Sequence, residues 1–313
     1  MNKKWVYAGN YVRLQPNLAT VTPIIWRLDN RDRYSGRITD ANLSKSRENL
    51  DLSPQSRKKL TASINWLYAA ARKKQVFDKE TKKRVSFRVN FITLTIPTTH
   101  GQQNLHELAP SMLNSWLSYM RIKQGLQNYV WKLEFTKNNV IHYHITTDTY
   151  LHWRTVRNVW NYQLKEAGCL NVFKEQYGHY DANSTDVHAT KHVRNFCAYM
   201  IKYVCKSAAS SLLPAGRLWS CSQRISKAIA TRLEVLFDSA QADVNEFINN
   251  KIEHIEIYAA DKMTGAKRVV GDMFKPSVWG WKGCLQGYFS QFYQSMIGFL
   301  RSGNEQLINT YAN

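Results

Sequence analysis

Bulky and polar side chains alternate from Val85 to Ile96, and the run is rich in β-branched residues, which predicts one long strand ended by Pro97. Leu105, Leu108, Met112, Leu113, Trp116, Leu117 and Met120 recur at helical spacing and predict a helix over 105–122, with Pro110 a candidate for its first turn. Alternation returns over Tyr129–Thr136 and Val140–Thr147 on either side of Lys137-Asn138-Asn139, the pattern of a hairpin. Val156, Val159, Trp160 and Leu164 give His152–Ala167 an inward helical stripe. Asp186-Val187-His188 reads as a short strand and Lys191–Ala208 as a further helix. The order β-α-β-β-α-β-α predicts an α+β fold: a central antiparallel sheet in a split βαβ arrangement, ferredoxin- or RRM-like. Helices should cover one face and leave the other to a ligand.

The flanks read differently. Residues 1–50 are basic and irregular, with Trp5, Tyr7, Tyr11, Trp26 and Tyr34 among arginines. Such a mixture suits either a clamp on single-stranded nucleic acid or an arm packed over the main domain. Ser53-Pro54 opens a helix whose apolar stripe is Leu60, Ile64, Leu67 and Tyr68, followed by a charged turn at Asp78–Lys83. Beyond Ala208 come a Ser/Pro/Gly loop, helices over Gln223–Asn250, two short strands about Met263-Thr264-Gly265, and an amphipathic helix over Lys282–Arg301. The expected division is 1–84, an arm and helix; 85–210, the central domain; and 211–313, a mainly helical region.

A formal charge of +20, with aromatics at 12%, points to an anionic polymer as partner, although a ribosome-like or membrane-surface protein shares that composition. Cys169, Cys197, Cys205, Cys221 and Cys284 form no Cys-x-x-Cys pair; we read them as reduced thiols of a cytoplasmic protein with no zinc knuckle. The N-terminus leads into no apolar run, and the greasiest stretch, 288–300, is too polar to span a membrane. No phosphate-binding Gly-x-x-x-x-Gly-Lys-Ser/Thr loop occurs, which argues against an NTPase.

The candidate chemistry sits on two elements. In Ile141-His142-Tyr143-His144-Ile145 a strand points both histidines to one face, with imidazoles about 7 Å apart, a spacing that can hold a divalent metal given one further ligand. Alone, such a pair is more often a hydrogen-bonded surface feature. On the helix over 191–208, Tyr199, Lys202, Tyr203 and Lys206 fall within an arc of roughly 100°. Two phenols are thus presented together, each with an ammonium three positions on. A phenol has a pKa of ~10 and attacks only as it loses its proton. A phosphodiester repels an incoming anion, so a metal and cations must neutralise it. Lysines beside the tyrosines favour phenolate and bind phosphate oxygens.

Phe91-Ile92-Thr93-Leu94-Thr95, then His142-Tyr143-His144, then Tyr199-x-x-Lys202-Tyr203-x-x-Lys206 resemble the three motifs of rolling-circle replication initiators, the HUH endonucleases. The doubled tyrosine motif is most similar to the two-tyrosine type of small single-stranded DNA phages. The resemblance covers about 85–210, in the family's order; Arg217-Leu218-Trp219-Ser220 also resembles a segment that follows the tyrosine helix in phage-type initiators. It implies nicking of single-stranded origin DNA by a tyrosine, leaving a 5′-phosphotyrosine link and a free 3′-OH. It further implies Mg²⁺ or Mn²⁺, no ATP, a host helicase and polymerase as partners, and the bacterial host cytoplasm as location. Oligomeric state is left open.

For the third metal ligand the expectation is Glu134, provided the hairpin register sets 134 opposite 142 or 144; a one-residue slip turns it away, and Asp148 is the fallback. His188 and His192 are read as structural or DNA-contacting. Arg88 is expected on the face opposite Thr93 and Thr95 if the strand alternation is unbroken. Two other functions fit the pattern: an HUH transposase or relaxase, and a non-catalytic single-strand binder on the same sheet topology. The binder would want exposed aromatics on the central strands.

Overall fold

The computed structural model describes residues 5–16, 18–27, 52–78, 82–97, 105–136, 140–190, 217–231, 233–236, 254–260, 267–274, 277–279 and 286–309. Their contacts group into two compact units, Met1–Gly36 with Ala228–Asn313, and Arg37–Lys227.

In the first unit, the stretch expected to be irregular is paired strand. β1 (Trp5–Gln15) and β2 (Leu18–Arg27) run antiparallel from the Trp5–Arg27 pair to the Gln15–Leu18 pair, with a bulge between Tyr7 and Gly9. The arginines and tyrosines that suggested an arm are also compatible with a ladder, because β-branched and aromatic residues suit pleated backbone. Val12 and Leu14 are buried.

The second unit begins with α1 (Pro54–Ala70). The Ser53 hydroxyl accepts from the Ser56 amide at 3.2 Å and Pro54 occupies the first turn, so the helix starts where its capping residues dictate. A two-stranded ribbon follows, β3 (Lys74–Asp78) with β4 (Lys83–Phe87). The run expected as one strand is broken at Arg88, and β5 covers Val89–Ile96. Arg88 leaves the alternation to donate to the carbonyls of Tyr68 and Ala71 at 2.9 and 3.1 Å, with its guanidinium 3.9 Å from the Tyr68 ring centre. A cation thereby meets the carbonyl end of α1, where the helix dipole favours it.

Next come α2 (Leu105–Gln124), which starts ahead of Pro110 rather than at it, β6 (Tyr129–Phe135) and β7 (Ile141–Thr147). They are followed by α3 (Trp153–Glu166), the short α4 (Asn171–Tyr177), β8 (Thr185–Thr190) and β9 (Trp219–Cys221). The sheet order is β8-β5-β7-β6-β9 with every neighbouring pair antiparallel. Its first four strands are the split βαβ arrangement, so the fold is α+β as the periodicities imply. Ile92, Leu94 and Ile96, Ile141, Tyr143 and Ile145, and Leu133 and Phe135 form one core with Trp116 and Met120 of α2 and Trp160 and Leu164 of α3.

The opposite face is half covered. α1 packs on β6 and β9, with the Ser63 hydroxyl beside the Cys221 thiol, and Val130 and Thr146 lie buried at that end. Only the other end is accessible, and it carries the histidines.

The remaining elements are α5 (Gln223–Ala230), β10 (Leu233–Leu236), β11 (His254–Ala260), β12 (Lys267–Phe274), β13 (Ser277–Trp279), α6 (Gln286–Ser302) and α7 (Gln306–Asn309). Gln223–Asn250, expected as helices, turns to strand at Leu233, where β10 pairs with β1; β13 pairs with β2. The expected helix over 191–208, the loop after Ala208 and the turn at Met263-Thr264-Gly265 lie outside the described residues.

Candidate functional site

Directly opposed residues of an antiparallel pair share a face. The β6–β7 register sets Glu134 opposite His142 and Lys132 opposite His144. The β5–β7 register sets Thr95 opposite His142 and Thr93 opposite His144, and β8 adds Asp186 opposite Thr93. The register that Glu134 requires to reach the histidine face is therefore the one the hairpin adopts.

His144 is held at both ring nitrogens. Its Nε2 lies 2.6 Å from Glu134 Oε2 and its Nδ1 3.2 Å from Thr93 Oγ1. The Phe91 ring lies nearly parallel to it, 5.6 Å away at 8°, and the His142 ring sits 6.0 Å off. A nitrogen and a carboxylate oxygen at that separation need a proton between them; the threonine hydroxyl can donate or accept, so it satisfies Nδ1 in either tautomer. Both partners are only partly accessible, 13% and 21% exposed, so the pair is shielded without being sealed. Burial, and next the neighbouring His144, lower the His142 pKa against an opposing pull from Glu134, so at neutral pH His142 is the uncharged imidazole. That is the form that ligates metals.

Two imidazoles and a carboxylate on one face are the donor types a divalent cation takes. Their present arrangement is not a cage: among the described residues no three His, Cys, Asp or Glu side chains are set to hold a metal ion. Glu134 and His144 instead close on one another. The donor set fits a cation once that hydrogen bond opens and the ion takes the place of the shared proton.

Asp148, the alternative ligand, is not brought to the pair. It lies beyond the end of β7, roughly 13 Å along the strand from His144. There its carboxylate accepts from Asn128 Nδ2 at 3.0 Å and its carbonyl from Lys74 Nζ at 3.0 Å. Burial pushes its pKa up, opposed by the Asn128 hydrogen bond. His188 is an exposed partner of Asp186 at 2.7 Å. His192, Tyr199, Lys202, Tyr203 and Lys206 lie outside the described residues. Connectivity alone constrains them: β8 ends at Thr190 on one edge of the sheet, β9 begins at Trp219 on the other, and residues 191–218 join the two. β9 falls on the segment 217–220 that the sequence resemblance singled out.

Three residues of the site escape a reading of the strand alone. Thr93 orients His144, Phe91 stacks on it, and Lys132 is buried beside it at 6% exposed. Their signal is parity with the histidines, which is usable only once the registers of β5 and β6 are known.

Fold and site together define a class: an α+β protein whose split βαβ sheet presents paired histidines and a carboxylate on its accessible face. Residues 89–208 match the family model of the replication-associated protein ORF2, a segment running from the first residue of β5 through the tyrosine motif. The match covers somewhat more than a third of the chain and supports a replication initiator family and a role in replication initiation. Curated proteins and solved structures give no match. Among the described residues no helix is long and apolar enough to cross a membrane.

Proposed function

We propose that the protein initiates rolling-circle replication by nicking and rejoining single-stranded origin DNA, in the manner of two-tyrosine HUH initiators. The observation that carries the reading is the juxtaposition of His142, His144 and Glu134 on the accessible sheet face, inside the segment that matches replication-associated proteins. Mg²⁺ or Mn²⁺ held by these three side chains would supply charge neutralisation at the scissile phosphate. Tyr199 or Tyr203 loses its phenolic proton and attacks phosphorus. The bond to the 3′ oxygen breaks, that oxygen takes up a proton, and the 5′ side stays esterified to the tyrosine. Lys202 and Lys206 favour the phenolate and bind phosphate oxygens. The second tyrosine repeats the step at the regenerated origin, and the free 3′-OH closes the displaced strand by the reverse attack. Each exchange conserves a phosphodiester, so no nucleotide is hydrolysed, and a host helicase and polymerase supply unwinding and synthesis.

The test is an SDS-resistant adduct between the protein and labelled single-stranded DNA bearing the origin, formed with Mn²⁺. Tyr199→Phe/Tyr203→Phe should abolish it; adduct in the double variant would falsify the mechanism. His142→Ala should lose cleavage and largely keep DNA affinity, which comes from Lys and Arg.

One observation favours the non-catalytic binder. Phe91 is an aromatic on a central strand of the accessible face, where RNA-recognition sheets stack bases. Single-strand binding without adduct from the wild type would select that reading.

A further inference from the structure

The β3–β4 ribbon has no part in the nicking chemistry, and its two faces are differently occupied. In an antiparallel pair alternate residues share a face, so Lys74, Val76 and Asp78 lie with Lys83, Val85 and Phe87, while Gln75 and Phe77 lie with Arg84 and Ser86. The first face fastens the ribbon to the rest of the unit. Phe87 is buried with its ring 5.2 Å from that of Tyr150, Lys74 donates to the Asp148 carbonyl, and Asp78 Oδ1 lies 3.6 Å from His152 Nε2. Arg88 ties the ribbon's end to the carbonyls of α1. The second face is turned out, with Phe77 57% exposed opposite an exposed Arg84.

Charge on this element is one-sided. The described residues 72–78 and 82–88 include Arg72, Lys73, Lys74, Lys82, Lys83, Arg84 and Arg88 against the single, buried Asp78. Through Asp78 and His152 the ribbon adjoins Trp153, 40% exposed, with the guanidinium carbons of Arg154 and Arg157 5.1 and 5.0 Å from its ring centre. A rigidly anchored, cationic two-stranded ribbon is of the width that the major groove of B-form DNA admits, about 12 Å. Arginines stacked on an exposed indole beside it present further donors to the flanking phosphates.

We propose that the β3–β4 ribbon is a duplex-DNA contact distinct from the histidine face, gripping double-stranded DNA through its phosphates with Lys73, Lys82 and Arg84, and with Arg154 on the flank. The inference rests on DNA as the partner, which it shares with the functional reading above, and is independent of the nicking chemistry. It gives the initiator a hold on duplex beside the strand it cuts.

Fluorescence anisotropy of the full chain on a labelled duplex of arbitrary sequence tests it. Lys73→Gln/Lys82→Gln/Arg84→Gln should weaken duplex binding at least ~10-fold at low salt and reduce the slope of log affinity against log salt by about 2–3. Lys58→Gln/Lys59→Gln/Lys123→Gln, a matched loss of charge at exposed positions of α1 and α2, should leave binding within about twofold. In the unaltered protein, duplex should protect Lys73, Lys82 and Lys83 from acetylation but not Lys58 and Lys59, a readout that needs no folded variant. Equal weakening by the two triple variants, wild-type binding by the ribbon variant, or unprotected ribbon lysines would overturn the proposal. A wild-type protein that holds duplex through the ribbon yet forms no tyrosine adduct sinks the nicking reading and leaves this one standing.

Discussion

His144 is positioned by three neighbours drawn from two strands: Glu134 at Nε2, Thr93 at Nδ1 and Phe91 against the ring face. Residues that fix a ligating imidazole typically affect metal affinity by about 10–100-fold. Thr93→Val, which keeps the shape and removes the hydroxyl, should therefore lower Mn²⁺ affinity by about tenfold in a calorimetric titration, with the melting temperature nearly unchanged. Glu134→Gln should do at least as much, and unaltered Mn²⁺ affinity in both would remove the cation from this site. Asp148 offers a prediction about pH. Burial raises its folded pKa above the unfolded value, so between the two values the folded state binds more protons than the unfolded chain. Its contribution is then most favourable in acid and is lost as pH rises from about 4 through the folded pKa. Asp148→Asn, which retains an acceptor for Asn128, should flatten that dependence and raise the melting temperature near neutrality. A variant with the wild-type profile would show that Asp148 does not carry the effect.

At the scale of the element, the sheet is held by large aromatics on one face and by α1 across part of the other. Trp160 is fully buried in α3, and its indole donates to the Thr95 carbonyl at 2.9 Å, directly behind the strand that faces His142. Trp160→Ala should cost about 4 kcal/mol in urea denaturation, from cavity formation and a lost hydrogen bond. Arg88 is the residue that splits the expected long strand into β4 and β5. Arg88→Met should destabilise by about 2 kcal/mol through the loss of two charged hydrogen bonds and a cation–π contact, and should loosen the ribbon, seen as faster amide exchange in β3 and β4. A stable variant with unchanged exchange would mean that the break in the alternation, and not the guanidinium, sets the ribbon's place.

Over the whole molecule, a charge of +20 makes binding to any nucleic acid strongly dependent on ionic strength. Affinity for single-stranded DNA should fall steeply between low and physiological salt, with a slope near −0.7 for each phosphate contacted. A salt-independent affinity would place binding on stacking and not on charge. The first unit is built from the two ends of the chain: β10 and β13 pair with β1 and β2 across more than two hundred residues of sequence. No local pattern reports such a pairing, and this is why residues 5–27, judged by composition, read as an arm. The central unit was far more legible. Its strands and helices carry uninterrupted 2.0 and 3.6 periodicities, and short connections leave few topologies open.

By itself the sequence determined the order of elements in the central unit, the shared face of His142 and His144, and the excess of positive charge, because each follows from local periodicity or from counting. Tertiary structure alone decided which register brings Glu134 and Thr93 to His144, that α1 closes half of the histidine face, and that Asp148 stays away from the pair. Those outcomes depend on where chain segments remote in sequence come to rest, and a one-residue slip in any ladder would have reversed them.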